Sequence, residues 1–254
     1  QDYQRYRDLL AEKDRVLLIG NGLIGCEFAN DLASVGKQVN LVGLTAWPMD
    51  RLLPQALGQR LQDSLSAIGV NWWLDNSVAS INFIDSNNTD AGYAVTLKSG
   101  DVLEADVIVS AVGLQARTKL AINNGITCGV GIKTDSRLMT NIPHVYALGD
   151  CVEFDGQLQP FIAPIYWGIQ ALSQTLTGLS TEVSYPQMTV VVKTPACPIT
   201  LLPPKQQTGE WHLDADEQGM VARFKNPAGQ VCGFVLQGDR VAQRKQLLEE
   251  TLHN

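Results

Sequence analysis

The hydrophobic pattern is clearest in the first fifty residues of the chain. Residues 16–19 (VLLI) form an apolar run without polar alternation, which is typical of a parallel strand buried on both faces. Apolar residues at helical spacing follow, among them Phe28 and Leu32, and Gly36 is a natural end for this helix. A second strand is predicted over 39–42. The segment is therefore a predicted strand–helix–strand unit.

Further elements are predicted along the rest of the chain. Up to residue 123 they are an amphipathic helix over 54–68, a strand over 70–74, an antiparallel insert over 77–104, a buried strand over 107–112 and a short helix over 115–123. A buried strand over 145–148 and a helix over 165–176 follow. The last predicted elements are strands over 189–192, 211–213, 220–224 and 231–236 and a closing helix over 241–252.

These elements predict an α/β protein in three parts. Residues 1–113 are predicted to form a Rossmann-like dinucleotide-binding domain, and residues 114–185 continue with a second α/β segment. Residues 186–254 are expected to form a small βββα domain with a core of its own, because the composition changes after Pro186.

The predicted first turn carries the motif Gly20-x-Gly22-x-x-Gly25 between a strand and a helix. In a dinucleotide fold the first glycine permits the tight turn, the second leaves room for a pyrophosphate, and the third lets helix and strand pack closely. The N-terminus of the helix supplies free N–H donors to the phosphates. The place of the motif between a strand and a helix favours this function over a merely tight turn.

One feature of a dinucleotide site is missing at the end of the second predicted strand. The residue there is Gly43, where an Asp or Glu would bind the adenosine ribose 2′-hydroxyl and a nearby Arg would favour a 2′-phosphate. Asp50 and Arg51 lie too far along the chain to replace them. The choice between NAD and NADP therefore stays open.

A second motif, Thr140-x5-Tyr146-Ala-Leu-Gly149-Asp150, includes the strand predicted over 145–148. It delivers an Asp to the carboxyl end of a strand, where open α/β sheets bind ligands. The alternative is a carboxylate that caps a following helix. The length of the pattern favours a ligand site.

Composition and charge argue against several classes of protein. The 254 residues carry a net charge of −7 and no long run of Lys and Arg, which argues against nucleic acid as the main partner. No apolar run approaches the roughly 18 residues of a membrane-spanning helix. The five cysteines contain no CxxC pair, and the histidines offer no metal-ligand spacing. We therefore expect a reducing, cytoplasmic compartment, no disulfide framework and no metal site.

The two motifs together resemble those of the FAD- and NAD(P)-dependent pyridine nucleotide reductases. In that family T-x5-YA-x-GD is the second FAD motif, and residues 110–113 (SAVG) are similar to the family's ATG turn between its nicotinamide and flavin domains. The segments GLIGCEFANDL, DVIVSAVGLQARTKLA, YALGDC and VKTPACP resemble the bacterial rubredoxin–NAD(+) reductases and, close to them, the flavorubredoxin reductases. The resemblance covers essentially the whole chain.

The resemblance implies an oxidoreductase that passes electrons from NADH through FAD to rubredoxin, as in the electron chains of alkane oxidation. Residues 1–113 would then be the NAD-binding domain, residues 114–185 the second segment of the FAD-binding domain, and residues 186–254 the C-terminal domain. No catalytic side chain is assigned, because the cofactors carry the chemistry. The complete protein is expected to be a monomer.

The resemblance also implies the residues of the nicotinamide side. Gly20, Gly22 and Gly25 would contact the NAD pyrophosphate. Glu27 matches the family's acidic residue at the flavin–nicotinamide junction, and its alternative role is a favourable charge near a helix start. Lys193 matches a family lysine near the flavin, where a cation favours the anionic reduced form. The alternative for Lys193 is an ordinary surface lysine.

Three further residues are implied on the flavin side. Asp150 would bind FAD, Gly113 lies in the turn between the two domains, and Ile162 lies where the family backbone meets the flavin. Pro164 suits the first position of the next helix, whose N-terminus can then face the flavin.

The chain departs from the family in one respect. Family members carry an earlier FAD-binding GxGxxG motif ahead of the NAD domain, whereas here the single GxGxxG motif begins at Gly20. We therefore expect a C-terminal fragment that binds FAD weakly or not at all. The alternatives are a natural NAD-only protein and a non-catalytic dinucleotide-binding module.

The electron acceptor also has alternatives. The same motifs serve ferredoxin reductases, whereas a disulfide reductase would need a redox cysteine and a C-terminal His–Glu pair, for which the histidines here have no setting. Rubredoxin is a small acidic protein, so docking on an acidic chain requires a local basic patch. The richest basic cluster is Arg240, Arg244 and Lys245 on the closing helix, whose alternative is a solvated helix face.

Overall fold

The computed structural model describes residues 2–85, 87–205 and 208–252. The chain forms two compact units, one of residues 1–113 with 188–254 and the other of residues 114–187. The division into three domains with limits at 113 and 185 stays a prediction.

Helices and strands alternate over residues 15–73, as the sequence predicts, whereas the helix that precedes them is not predicted. Up to residue 113 the elements are α1 (Asp2–Ala11), β1 (Arg15–Ile19), α2 (Leu23–Ser34), β2 (Gln38–Val42), α3 (Gln55–Ala67), β3 (Val70–Trp73), β4 (Val78–Asp85), β5 (Asn88–Leu97), β6 (Val102–Ala105) and β7 (Val107–Ser110). The second unit contains α4 (Lys119–Asn123), β8 (Ile132–Lys133), β9 (Val152–Phe154), β10 (Gln157–Leu158) and α5 (Ile162–Leu176). The last segment contains β11 (Val190–Val192), β12 (Ile199–Leu202), β13 (Glu210–Asp216), β14 (Gly219–Lys225), β15 (Val231–Gly238), a 3-10 helix (Asp239–Gln243) and α6 (Arg244–Leu252).

The first unit is built on a parallel sheet of four strands in the order β3-β2-β1-β7. The central strand β1 pairs with β2 on one side and with β7 on the other, and both pairings are parallel. Leu17 and Leu18 point to opposite faces of β1, and both are completely buried. The α/β prediction and the strand buried on both faces are therefore confirmed.

The two faces of this parallel sheet are covered differently. On one face α2 and α3 bury Leu32, Leu57 and Leu61 in the main hydrophobic cluster. On the other face the antiparallel sheet β4-β5-β6 buries residues such as Val95 and Leu97 against the parallel strands. The antiparallel insert predicted over 77–104 is confirmed, and it serves as the cover of the second face.

An ion pair fixes the start of β1 to the connection between β6 and β7. The guanidinium of Arg15 donates to Asp106 Oδ1 from Nε at 3.0 Å and from Nη2 at 2.6 Å, and the Arg15 backbone N–H donates to Asp106 Oδ2 at 2.9 Å. The Arg15 side chain also pairs with Glu104. The hydrogen bonds from Arg15 lower the pKa of Asp106 to about 2.

Replacing Asp106 by Asn is expected to lower the free energy of unfolding by about 1–3 kcal/mol at neutral pH. The carboxylate stabilises the fold above the pKa of an unfolded Asp, near 4. Its contribution is lost as the pH falls from there towards 2. Urea unfolding of both proteins along a pH series should therefore show their stabilities converging in acid. Asp63→Asn, on the exposed face of α3, is the control and should show no comparable loss.

The last segment forms an antiparallel sheet of five strands in the order β11-β12-β15-β14-β13. The prediction of a βββα arrangement missed β12, although all four of its residues are buried. Pro198 precedes this strand and Pro203 and Pro204 follow it, and prolines normally mark a loop because they cannot donate to a β ladder. Here the four residues between them pair along their whole length with β15.

The five-stranded sheet contributes to two hydrophobic clusters. Alternate residues of β15 point to opposite faces, so Phe234 and Leu236 pack with Leu247 of α6. Val235 instead joins the main cluster beneath α2 and α3, together with Ile199 of β12. The expectation of a separate core therefore holds only for the face under α6. The opposite face of the five-stranded sheet shares one core with α2, α3 and the parallel sheet.

The second unit has less regular structure than the sequence predicts. The strand expected over 145–148 is reduced to a single bridge between Met139 and Tyr146. The Thr140 N–H donates to the Val145 carbonyl at 2.8 Å, so this segment folds back on itself in a tight turn. A strand requires a neighbour along its length, and only one residue here has one.

The two helices of this unit also differ from their predicted limits. The short helix α4 begins at Lys119 rather than at 115. The helix α5 begins at Ile162, three residues before the predicted start, so Pro164 is its third residue and not its first. Proline is accommodated there because the N–H groups of the first turn have no partner within the helix.

Candidate functional site

The glycine turn between β1 and α2 needs glycine at two positions for steric reasons. Gly20 has a φ of +113°, and a Cβ built on it would lie 2.5 Å from the Ala111 carbonyl oxygen. A Cβ on Gly25 would overlap the carbonyl oxygen of Gly20. The first and third glycines therefore let the turn form and let α2 pack against it, as the motif predicts.

The second glycine of the motif has a different environment. Gly22 is the N-cap of α2 with a φ of −77°, and it is exposed. A Cβ built on it would meet no atom within 4 Å, and no side chain caps the helix. The turn therefore presents an open surface at the positive end of a helix of twelve residues, which is the arrangement that binds phosphate groups.

A buried asparagine explains the missing acidic residue at the end of β2. The Asn21 side chain occupies the space that a Cβ on Gly43 would need. Its Nδ2 donates to Thr45 Oγ1 at 2.8 Å and to the Trp47 carbonyl at 3.2 Å. The Met49 N–H donates to the Asn21 carbonyl at 2.9 Å. Sequence reasoning missed this role of Asn21, because the contact joins loops that follow different strands.

The structure brings together two predicted site residues that lie 166 positions apart. The backbone N–H of Lys193 donates to Glu27 Oε1 at 2.8 Å. Glu27 is partly buried on α2, and Lys193 is exposed just after β11. One turn further along α2, Asn30 Oδ1 accepts the backbone N–H of Ala196 at 3.1 Å. Sequence reasoning missed Asn30, a polar side chain that is buried among the apolar residues of the inner face of α2.

The remaining predicted residues lie at the end of the first segment and in the second unit. Gly113 has a φ of +110° and open space around it. Gly149 has a φ of +90°, and the exposed Asp150 follows it in a turn that leads into β9. No helix begins there, so the helix-cap alternative for Asp150 is wrong. Ile162 is the first residue of α5 and is 72% exposed.

The two cysteines beside the site are not suited to redox or nucleophilic chemistry. Cys26 on α2 is completely buried, and burial raises the pKa of its thiol far above the ordinary value. Burial also raises the pKa of Cys197. Because the thiolate is the reactive form, both residues act as small buried side chains. No disulfide joins any of the five cysteines, all of which lie in the described part.

The predicted basic cluster near the C-terminus is smaller than the sequence indicates. Arg240 lies in the 3-10 helix and pairs with Asp216 at the end of β13, so its charge is compensated. Arg244 and Lys245 are exposed at the start of α6. The placement of all three cations on the closing helix is therefore wrong, because Arg240 precedes α6, and the exposed Arg244 and Lys245 remain available to a partner.

Two classes of feature are absent from the described residues. No helix among them has the length and apolar character required to span a bilayer. Within the same ranges, no three His, Cys, Asp or Glu side chains are grouped so that they could hold a metal ion.

Family models match almost the entire chain. The model of the pyridine nucleotide-disulphide oxidoreductases matches residues 1–171, and the model of the rubredoxin binding C-terminal domain matches residues 182–251. The parallel sheet and the glycine turn of the first unit are the features expected of this family. The chain belongs to the pyridine nucleotide-disulphide oxidoreductase family.

Individual relatives agree with this assignment. The chain is 41% identical over 250 residues to the rubredoxin-NAD(+) reductase of Acinetobacter baylyi, covering 97% of the chain and 63% of the relative. It is 40% identical over 253 residues to the nitric oxide reductase FlRd-NAD(+) reductase of Aeromonas hydrophila, covering 98% and 64%. The chain thus spans just under two thirds of the length of these relatives.

A solved structure shows the same fold at lower identity. The NAD-dependent persulfide reductase of A. fulgidus superposes with a TM-score of 0.85 and 18% identity, covering 98% of this chain and 51% of that one. The overall fold is therefore shared.

Proposed function

We propose that the chain belongs to an NADH-dependent flavoprotein reductase that passes electrons from NADH through FAD to rubredoxin. The observation that carries this proposal is the open, uncapped start of α2 at Gly22, in a chain whose last segment matches a rubredoxin-binding domain. The rubredoxin-NAD(+) reductase and the FlRd-NAD(+) reductase among its relatives support the same class of reaction.

The first unit fits the dinucleotide NAD. The N–H groups at the start of α2 have no side-chain partner and would bind the pyrophosphate, and Gly22 leaves the space for it. Gly20 and Gly25 would keep the turn in the required shape. One carboxylate oxygen of Glu27 accepts the backbone N–H of Lys193, so the other oxygen is available to bind the nicotinamide end of NAD.

The second unit carries groups that fit FAD. Asp150 is exposed beside Gly149, whose surroundings are open, and its carboxylate would accept hydroxyl groups of the flavin chain. No side chain caps the first turn of α5, so its N–H groups at Ile162 would stabilise negative charge. FAD, when bound, supplies the exchange between the hydride of NADH and single electrons.

The protein's own contribution is binding and orientation. No nucleophile is proposed, because the cysteines near the site are buried and protonated. The last segment would hold the acceptor, and its exposed Arg244 and Lys245 are suited to an acidic partner. A cytoplasmic location follows from the same proposal, since unpaired cysteines fit a reducing compartment.

The proposal is tested by electron transfer under anaerobic conditions. The full chain is mixed with a large excess of FAD, because the sequence predicts weak FAD binding, and NADH is added before oxidised rubredoxin; the same mixture without the chain is the control. We expect NADH to bleach the flavin absorbance and rubredoxin to be reduced, with two rubredoxins per NADH because each accepts one electron. Flavorubredoxin as the better acceptor would point to the other group of relatives. FAD that is bound to the chain together with NADH and is still not bleached would contradict the reductase proposal and favour a dinucleotide-binding module.

A further inference from the structure

The turn that follows β11 is held on α2 at two points. Glu27 accepts the Lys193 N–H at 2.8 Å, and Asn30 accepts the Ala196 N–H at 3.1 Å. The two acceptors are three positions apart, so they project from the same face of the helix. The turn is thus fixed at its first and its last residue.

A buried asparagine at position 30 lowers the stability of the fold unless its amide group forms hydrogen bonds. Its side chain is only 1% exposed, and its neighbours on the buried face of α2 are apolar. Burying an amide is unfavourable unless it forms hydrogen bonds. Its oxygen binds Ala196, and its Nδ2 donates to Asp31 Oδ1 at 3.3 Å.

The turn itself is rigid. The hydroxyl of buried Thr194 donates to the Cys197 carbonyl at 2.7 Å, and the Cys197 N–H donates to the Thr194 carbonyl at 2.8 Å. Pro195 further restricts the backbone. Fixing both ends of a rigid turn also fixes the backbone from which the Lys193 side chain extends.

We propose that Asn30 is a positioning residue for Lys193: with Glu27 it clamps the turn 193–196 onto α2, and thereby fixes the backbone from which the Lys193 side chain acts on a dinucleotide bound at the start of that helix. This inference rests on the proposed function. Glu27 lies five residues after Gly22, so its negative charge opposes the pyrophosphate of the dinucleotide, although its free oxygen is available to the nicotinamide end. The positive charge of a lysine carried on this fixed turn offsets part of that repulsion.

The first measurement is hydrogen exchange on the full chain. Asn30→Ala removes the acceptor, so we expect the Ala196 amide to exchange about tenfold faster. Ser34→Ala is the control, because Ser34 also lies on α2 and bonds to the Asn30 carbonyl without touching the turn. Unchanged exchange across residues 193–197 in Asn30→Ala would overturn the clamp.

The second measurement is NADH affinity, followed by nicotinamide fluorescence. We expect Asn30→Ala to raise the Kd about two- to fivefold at low salt, because an exposed cation contributes little more than this. The loss should shrink at high salt, since Lys193 is exposed and its charge is screened. An equal loss at both salt concentrations would indicate a structural effect instead and contradict the proposal.

The double variant decides whether Asn30 acts through Lys193. Asn30→Ala combined with Lys193→Ala should bind NADH no more weakly than Lys193→Ala alone, whereas independent roles would add. If Asn30→Ala does not fold, Asn30→Ser carries the same tests, because its shorter side chain leaves the Ala196 N–H unpaired while keeping a polar group.

The outcomes also separate this inference from the proposed function. A wild-type chain that binds no NADH would contradict the proposed function and the role of Lys193 together. In that case faster exchange of the Ala196 amide in Asn30→Ala would still show that the clamp exists. The proposal of NADH binding would then be the one that is wrong.

Discussion

Replacing Gly25 by alanine is expected to lower the free energy of unfolding by about 4 kcal/mol or more. The added methyl group would overlap the carbonyl oxygen of Gly20, which is a backbone atom in a tight turn and cannot move aside alone. Either α2 must shift away from β1 or the turn must open. Urea unfolding measures the loss as a lower midpoint with an unchanged slope.

Gly22→Ala is the matched control on the same turn. Its φ of −77° suits any residue, and a Cβ there meets no atom within 4 Å. We expect a loss of about 1 kcal/mol or less, the difference between glycine and alanine at an N-cap. Unfolding of both variants at the same urea concentration would show that close packing at Gly25 is not the cause.

Replacing Gly22 by aspartate is expected to weaken NADH binding about 100-fold without loss of stability. Aspartate is a favourable N-cap and its charge complements the positive end of α2, so the helix should be stabilised by a few tenths of a kcal/mol. The same carboxylate would occupy the open surface that the pyrophosphate needs. Stability and binding should therefore change in opposite directions.

Gly22→Asn separates the effect of charge from the effect of size. Asparagine has the same shape as aspartate and is also a good N-cap, but it is neutral. NADH titrations of the two variants should show the weaker binding for aspartate, with the difference reduced by salt. Unchanged NADH affinity in Gly22→Asp would place the dinucleotide elsewhere and contradict the proposed site.

The elements that the sequence predicts well are those in which local pattern and tertiary structure agree. The run 16–19, the glycine turn and the helix ending before Gly36 each follow from neighbouring residues. The strand β12 was missed because its flanking prolines indicate a loop, and its pairing with β11 and β15 reveals it. Residues 145–148 show the reverse case, in which an apolar run has almost no strand to pair with.

The site was predictable only as far as its motifs extend. The three glycines have the environments that the motif implies. The contact of Asn21 with Gly43 depends on how two loops meet, and the contact of Glu27 with Lys193 joins positions 166 residues apart. No local pattern contains either contact, because each is made only when distant parts of the chain have packed.

The shared core has a consequence for synthesis of the chain on the ribosome. The cluster beneath α2 and α3 includes Ile199 and Val235, so it lacks part of its interior until β12 and β15 have been made. Until nearly all of the chain has left the exit tunnel, Leu57 and Leu61 lack these packing partners and are not fully buried. Contacts of such long sequence separation are slow to form and leave apolar surface exposed in the meantime. Premature termination before β15 should therefore yield an aggregating polypeptide rather than a folded nucleotide-binding fragment.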